Sequence, residues 1–137
     1  IPDIYGVASR VAAIYLKSIF FVATMAEVVD KATILRLKTE RVSHEEKRRM
    51  AESELKMMTV PDVGPFYDML YSINAVLWNV EDRLRELETE ENFGSEFVLL
   101  ARSVYFINDL RFQTKARISK ILGEQVKEIK SYVHNAV

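Results

Sequence analysis

The chain contains no cysteine, so neither a disulfide framework nor a thiolate metal site or nucleophile can belong to it. Glycine and proline are almost as scarce, four and three among 137 residues. A sandwich or barrel needs such punctuation about every ten positions, so the scarcity favours a few long helices. An excess of one charge is missing as well: 19 basic and 20 acidic side chains leave a net charge of -1. No global field draws a polyanion, and nucleic-acid binding is disfavoured. The apolar stretch from Gly6 to Met25 is broken by Arg10 and Lys17. A charge at the centre of a spanning helix costs about 2.5 to 3.5 kcal/mol, so no membrane span is expected, and the segment is a poor secretory signal.

What is present is a globular balance, 49% hydrophobic and 28% charged residues, in a length that suits one domain over 1–137. The first residue is Ile1 and not Met, which suggests a processed product or a piece of a longer chain. The lack of cysteine is compatible with a reducing compartment, and the expected location is cytoplasmic.

Residues 4–17 suit an amphipathic helix, with Asp3 as a cap and Val7, Val11 and Ile14 on one stripe. The run Ser18 to Ala23 is rich in β-branched and aromatic residues and suits a short strand. Thr24-Met25-Ala26-Glu27 has capping-box form and starts a helix reaching about Val42. Ser43-His44-Glu45-Glu46 repeats the signature and starts a charged helix ending near Met58, followed by a loop over 59–64. From Pro65 to about Glu91 apolar residues recur at three- and four-residue spacing, from Phe66 and Met69 to Leu84 and Leu87. Asn92-Phe93-Gly94-Ser95 then turns the chain, with Gly94 free to take a positive φ. A last long helix runs from Ser95 to about Leu122, where Gly123 is a terminator.

Two helices of about 40 Å joined by a short turn predict an antiparallel hairpin (65–91 and 95–122) inside an all-α bundle. The tail 124–137 reads either as helix or as a strand pairing with Ile19 to Ala23, a minor two-stranded β element.

The apolar stripe of the last helix, Phe97, Leu100, Val104, Ile107, Ile118 and Leu122, also passes through Asn108, Arg111 and Lys115. Counting outward from the turn sets Arg102 near Asp82, Val104 near Glu81 and Arg111 near Asn74. The middle of the bundle then gathers Glu81, Asp82, Arg102, Asn108, Asp109 and Arg111, which Asp30, Lys31 and Lys38 can join. One reading is solvated charge, with long stems lying along the core edge. The other is a pocket for a small anion, with Arg102, Arg111 and Lys115 as donors oriented by Glu81 or Asp82. Convergence of the three cations on an enclosed site separates the two.

Other chemistry finds little support. Glu81 and Asp82 are neighbours, about 100° apart around a helix, and make no carboxylate pair. His44 and His134 have no partner at metal-ligand spacing, so neither a metal nor a cofactor is expected. Asp62-Val63-Gly64-Pro65 is no phosphate loop. Lys47-Arg48-Arg49 is flanked by Glu45, Glu46, Glu52 and Glu54 and suits a salt-laced exposed helix. Trp78 suits interhelical packing.

Val29-Asp30-Lys31-Ala32-Thr33-Ile34-Leu35, Leu77-Trp78-Asn79-Val80-Glu81-Asp82, Phe97 to Tyr105, Asn108-Asp109-Leu110-Arg111 and Glu128 to Tyr132 together carry a resemblance. The chain resembles a bacterial family of small proteins classed as a domain of unknown function, over about residues 19–133. The resemblance implies a helical fold and treats Asp30, Lys31, Trp78, Glu81, Asp82, Arg102, Asn108, Asp109 and Arg111 as one constellation. It makes residues 1–17 an N-terminal extension, and Arg36 stands where that family has an acidic residue.

Two functions follow as expectations. The first is an interaction or assembly module, binding a protein partner or a second copy through spare apolar residues such as Tyr71, Phe106 and Phe112. The second is a small helical enzyme or binding protein for an anionic metabolite, working through cations and hydrogen bonds.

Overall fold

A computed structural model of the chain describes residues 24–123. They form four helices and, among the described residues, no strand: α1 (Met25–Arg41), α2 (Glu45–Met57), α3 (Pro65–Thr89) and α4 (Ser95–Ile121). The expected helix over 4–17, the strand-like run 18–23 and the tail 124–137, with any pairing between them, lie outside the described residues.

Helix α1 begins as the capping box requires. Thr24 is extended, with ψ 160, and its hydroxyl accepts the Glu27 amide at 3.2 Å. Ala26, Val29, Asp30, Ala32, Thr33, Leu35 and Leu37 are buried, a distribution that runs around most of the helix. Such a helix must be central, and α1 is the one that packs against all three others.

Among the described helices α2 packs on α1 alone, and it buries Ala51. Its cap is His44, one residue later than the Ser43 expected, with Nδ1 accepting the Lys47 amide at 3.4 Å. Imidazole supplies an acceptor as a hydroxyl does. Arg49 meets Glu45 at 2.6 Å and Arg48 meets Glu52 at 4.0 Å, so the basic run is laced to its own helix.

Helix α3 starts at Pro65 behind Gly64, whose φ of 57 favours glycine, and whose amide donates to Asp62 Oδ1 at 2.9 Å. It ends at Thr89, two residues before the expected Glu91. The positive φ falls on Glu91, at 53, and not on Gly94, which sits at -74. The cause is a Schellman closure: the Asn92 amide donates to the Leu87 carbonyl at 2.9 Å and the Glu91 amide to that of Glu88 at 3.0 Å. That geometry demands the left-handed conformation at Glu91. Helix α4 follows from Ser95, and Gly123, with φ 68, terminates it as expected.

The core joins α1, α3, α4 and the loop before α3: Ala26, Val29, Val63, Leu70 and Ile118 are buried, with Val60, Phe66, Tyr67 and Leu122 packed around them. Each fully buried large side chain contributes about 1.5 to 3 kcal/mol. No helix among the described residues is long and apolar enough to cross a membrane.

Candidate functional site: a buried ion cluster and an open apolar face

Asp30 sits in the first half of α1 on the side facing α3 and α4, only 3% exposed. A bare carboxylate there would be costly, and both of its oxygens have partners. Arg111 of α4 donates in fork geometry, Nε to Oδ1 at 3.1 Å and Nη2 to Oδ2 at 2.5 Å. Asn74 of α3 donates from Nδ2 to Oδ1 at 2.9 Å and also to the Thr33 hydroxyl at 2.9 Å, while that hydroxyl donates to the Asp30 carbonyl at 2.7 Å. Lys115, one turn beyond Arg111, lies 3.7 Å from Oδ2 and 2.7 Å from Glu27. No buried side-chain nitrogen or oxygen among the described residues lacks a partner. Among the described residues, two carboxylates thus face two cations.

Of the residues singled out from sequence, Asp30, Arg111 and Lys115 come together here. Lys31 pairs instead with Glu54 of α2 at 2.5 Å, and Asp82 with Arg85 at 3.7 Å, both in the open. Arg102 is exposed, and Glu81, Asn108 and Asp109 are half-buried without an ion pair among the described residues. Nine residues along α4 set Arg102 about 13 Å from Arg111, so two of the three cations converge and the third does not. Glu27 and Thr33 are not among the candidates read from sequence, and Asn74 enters only as the neighbour of Arg111 counted from the turn. A lone amide on the apolar stripe of α3, between Leu70 and Leu77, is the signal that could have marked Asn74 as a member of the cluster.

A second polar group joins the far end of α1 to α3 at the surface. Glu40 accepts from the Tyr71 hydroxyl and from Arg36 Nε at 2.9 Å, and the Arg36 guanidinium lies 4.2 Å above the Tyr71 ring. The Tyr71 hydroxyl, then Arg36, holds the Glu40 carboxyl below its ordinary range, and Glu40 in turn pushes the phenol up. Arg41 reaches Asn79 Oδ1 at 2.6 Å. Near the α3–α4 connection, Arg83 binds Glu96 at 2.6 Å and Glu86 at 2.9 Å, which raise its guanidinium pKa.

The opposite feature lies on the outside of α4. Leu99, Phe106, Leu110 and Ile121 are 68%, 58%, 54% and 55% exposed. At about 100° per residue they fall within roughly 60° of arc, some 80° to 140° around the helix from Arg111. Of the aromatic residues expected on the surface, Phe106 is exposed, whereas Tyr71 and Phe112 are half-buried.

Residues 21–136 match the model of a family of unknown function, DUF6165. No curated protein and no solved structure matches the chain.

Proposed function

The chain belongs to the family of unknown function that it matches, and we propose that it serves as a helical interaction or assembly module. The observation that carries this reading is the α4 stripe: four large apolar side chains, each more than half exposed, aligned on one helix face. Isolated exposed apolar residues are ordinary; an aligned row of them on a long helix suits docking of another apolar surface. We further read α3 and α4 as an antiparallel hairpin. Arg83 and Glu96 meet beside the connection, and Asn74 and Arg111, far from it, meet on Asp30. One domain in a reducing, cytoplasmic setting agrees with the absence of cysteine.

The test is a comparison of wild type with Leu110→Asp in chemical crosslinking and affinity recovery, with circular dichroism to establish that both are folded. A defined complex formed by wild type and lost in the variant supports the module. Equal behaviour of the two removes the stripe from any docking role.

A second reading, binding of a small anion, has one observation behind it: Arg111 and Lys115 stand a turn apart, and the partner of Lys115, Glu27, is itself 40% exposed. Thermal unfolding of wild type and Arg111→Ala with a panel of anionic metabolites tests it. A ligand at a hundredfold its Kd stabilises by about 2.7 kcal/mol, a shift that Arg111→Ala should abolish. Both cations already have carboxylate partners among the described residues, which ranks this reading second.

A further inference from the structure

We infer that the occupant of the α4 stripe is a second copy of this chain, docked antiparallel about a two-fold axis passing between Phe106 and Leu110. The inference rests on the interaction reading above and adds the identity and orientation of the partner. Its argument is charge complementarity between the two ends of α4.

Glu88, Glu90 and Glu91 cluster at the α3–α4 connection, all exposed and none in an ion pair among the described residues. No basic residue lies in the last turn of α3. At the other end of α4, Arg117 and Lys120 are exposed and likewise make no ion pair among the described residues. Arg117 lies in line with the apolar stripe, about 120° from Arg111. The α3–α4 connection is therefore acidic, the C-terminal end of α4 carries two exposed cations, and the stripe runs between them.

A parallel pairing through this stripe sets acid beside acid and base beside base. An antiparallel one sets each acidic connection beside the Arg117 and Lys120 of the other copy. With the axis level with residue 108, residues 96 and 120 lie about 18 Å on either side, so the ends come into register. Phe106 of one copy then meets Leu110 of the other, twice, forming an apolar centre of the kind that dominates interfaces. The stem of Arg117 lies along Leu99. Arg102 comes level with Thr114, so the exposed cations of the stripe do not stand directly opposite one another.

Sedimentation velocity on the full chain tests this. Wild type is expected to dimerise, more weakly at high salt, because exposed charges are screened. Arg117→Glu/Lys120→Glu and Glu90→Lys/Glu91→Lys should each weaken self-association at least about tenfold, because like charges then meet. An equimolar mixture of the two should restore the dimer, since each altered end finds its complement.

The absence of cysteine permits a second measurement independent of those variants. Phe106→Cys and Leu110→Cys chains, mixed and oxidised, should give the mixed disulfide in preference to either homodimer. A wild-type monomer at all concentrations overturns the inference, as does a dimer indifferent to both charge reversals or a preference for homodimeric disulfides. If wild type is monomeric but Leu110→Asp still abolishes a defined complex with another protein, self-pairing falls and the interaction module stands.

Discussion

Replacing Asp30 by asparagine keeps the shape of a buried side chain and removes its charge. Arg111 loses its counter-charge and one of the two acceptors of its fork, since the amide keeps a single carbonyl oxygen, and Lys115 loses a carboxylate 3.7 Å away. Removing one member of a buried pair costs about 3 to 5 kcal/mol, because the remaining charge is left in a poor solvent. Two features lower the figure here. The Arg111 side chain is 27% exposed and can turn toward water, and Lys115 keeps Glu27. The expected loss is about 2 to 3 kcal/mol. Urea unfolding at pH 7, followed by circular dichroism, measures it. The double variant Asp30→Asn/Arg111→Met should lose less than the sum of its single changes, with a coupling of at least about 1 kcal/mol. A loss below about 0.5 kcal/mol for Asp30→Asn, the size of an ordinary surface change, would refute the reasoning.

Three further outcomes are expected. Leu70→Ala, at a fully buried position between α1 and α4, should destabilise by about 2 to 5 kcal/mol in the same unfolding assay. Glu91→Gly should stabilise by about 1 kcal/mol, because it removes a side chain from a left-handed conformation and a negative charge from a helix C-terminus. Tyr71→Phe should raise the Glu40 pKa toward the ordinary carboxylate value, seen by NMR titration. Because the folded Glu40 pKa is depressed, its contribution to stability is present above the unfolded pKa of about 4.3 and disappears as pH falls through the folded value. The difference between wild type and Tyr71→Phe should therefore shrink on acidification, and a difference constant from neutral to acid pH would contradict the assignment.

Helix positions were legible where local chemistry decides them. Thr24 caps α1 and Gly123 stops α4 because a hydroxyl acceptor and a residue without Cβ have no near competitors there. His44 displaced Ser43, and Glu91 displaced Gly94, because each outcome depends on which backbone groups of the helix end need partners. The ion cluster was half legible. Polar interruptions on the stripe of α4 marked Arg111 and Lys115, but they meet a carboxylate 81 residues away in sequence for Arg111, a separation no local pattern encodes. Arg102, Glu81 and Asp82 share the charge pattern of α3 and α4 with Arg111, but α1 lies over Arg111 and leaves Arg102 and Asp82 in the open.

A buried ion pair contributes little net stability against an apolar replacement, so its presence in the first half of α1 calls for another consequence. Sliding α1 by one turn, about 5.4 Å, would strand Asp30 away from both Arg111 and Asn74 and leave a charge and an amide unanswered. The cluster therefore penalises every register but one, and fixes α1 on the inner side of α4. Fixing the inner side holds the outer one. With Arg111 and Lys115 engaged inward, the cations that α4 presents outward are Arg102, Arg117 and Lys120, and the apolar row beside them is carried on a helix already held in place. On the interaction reading, that pre-ordering lowers the conformational cost of docking, since little of the surface has to be ordered when the partner arrives.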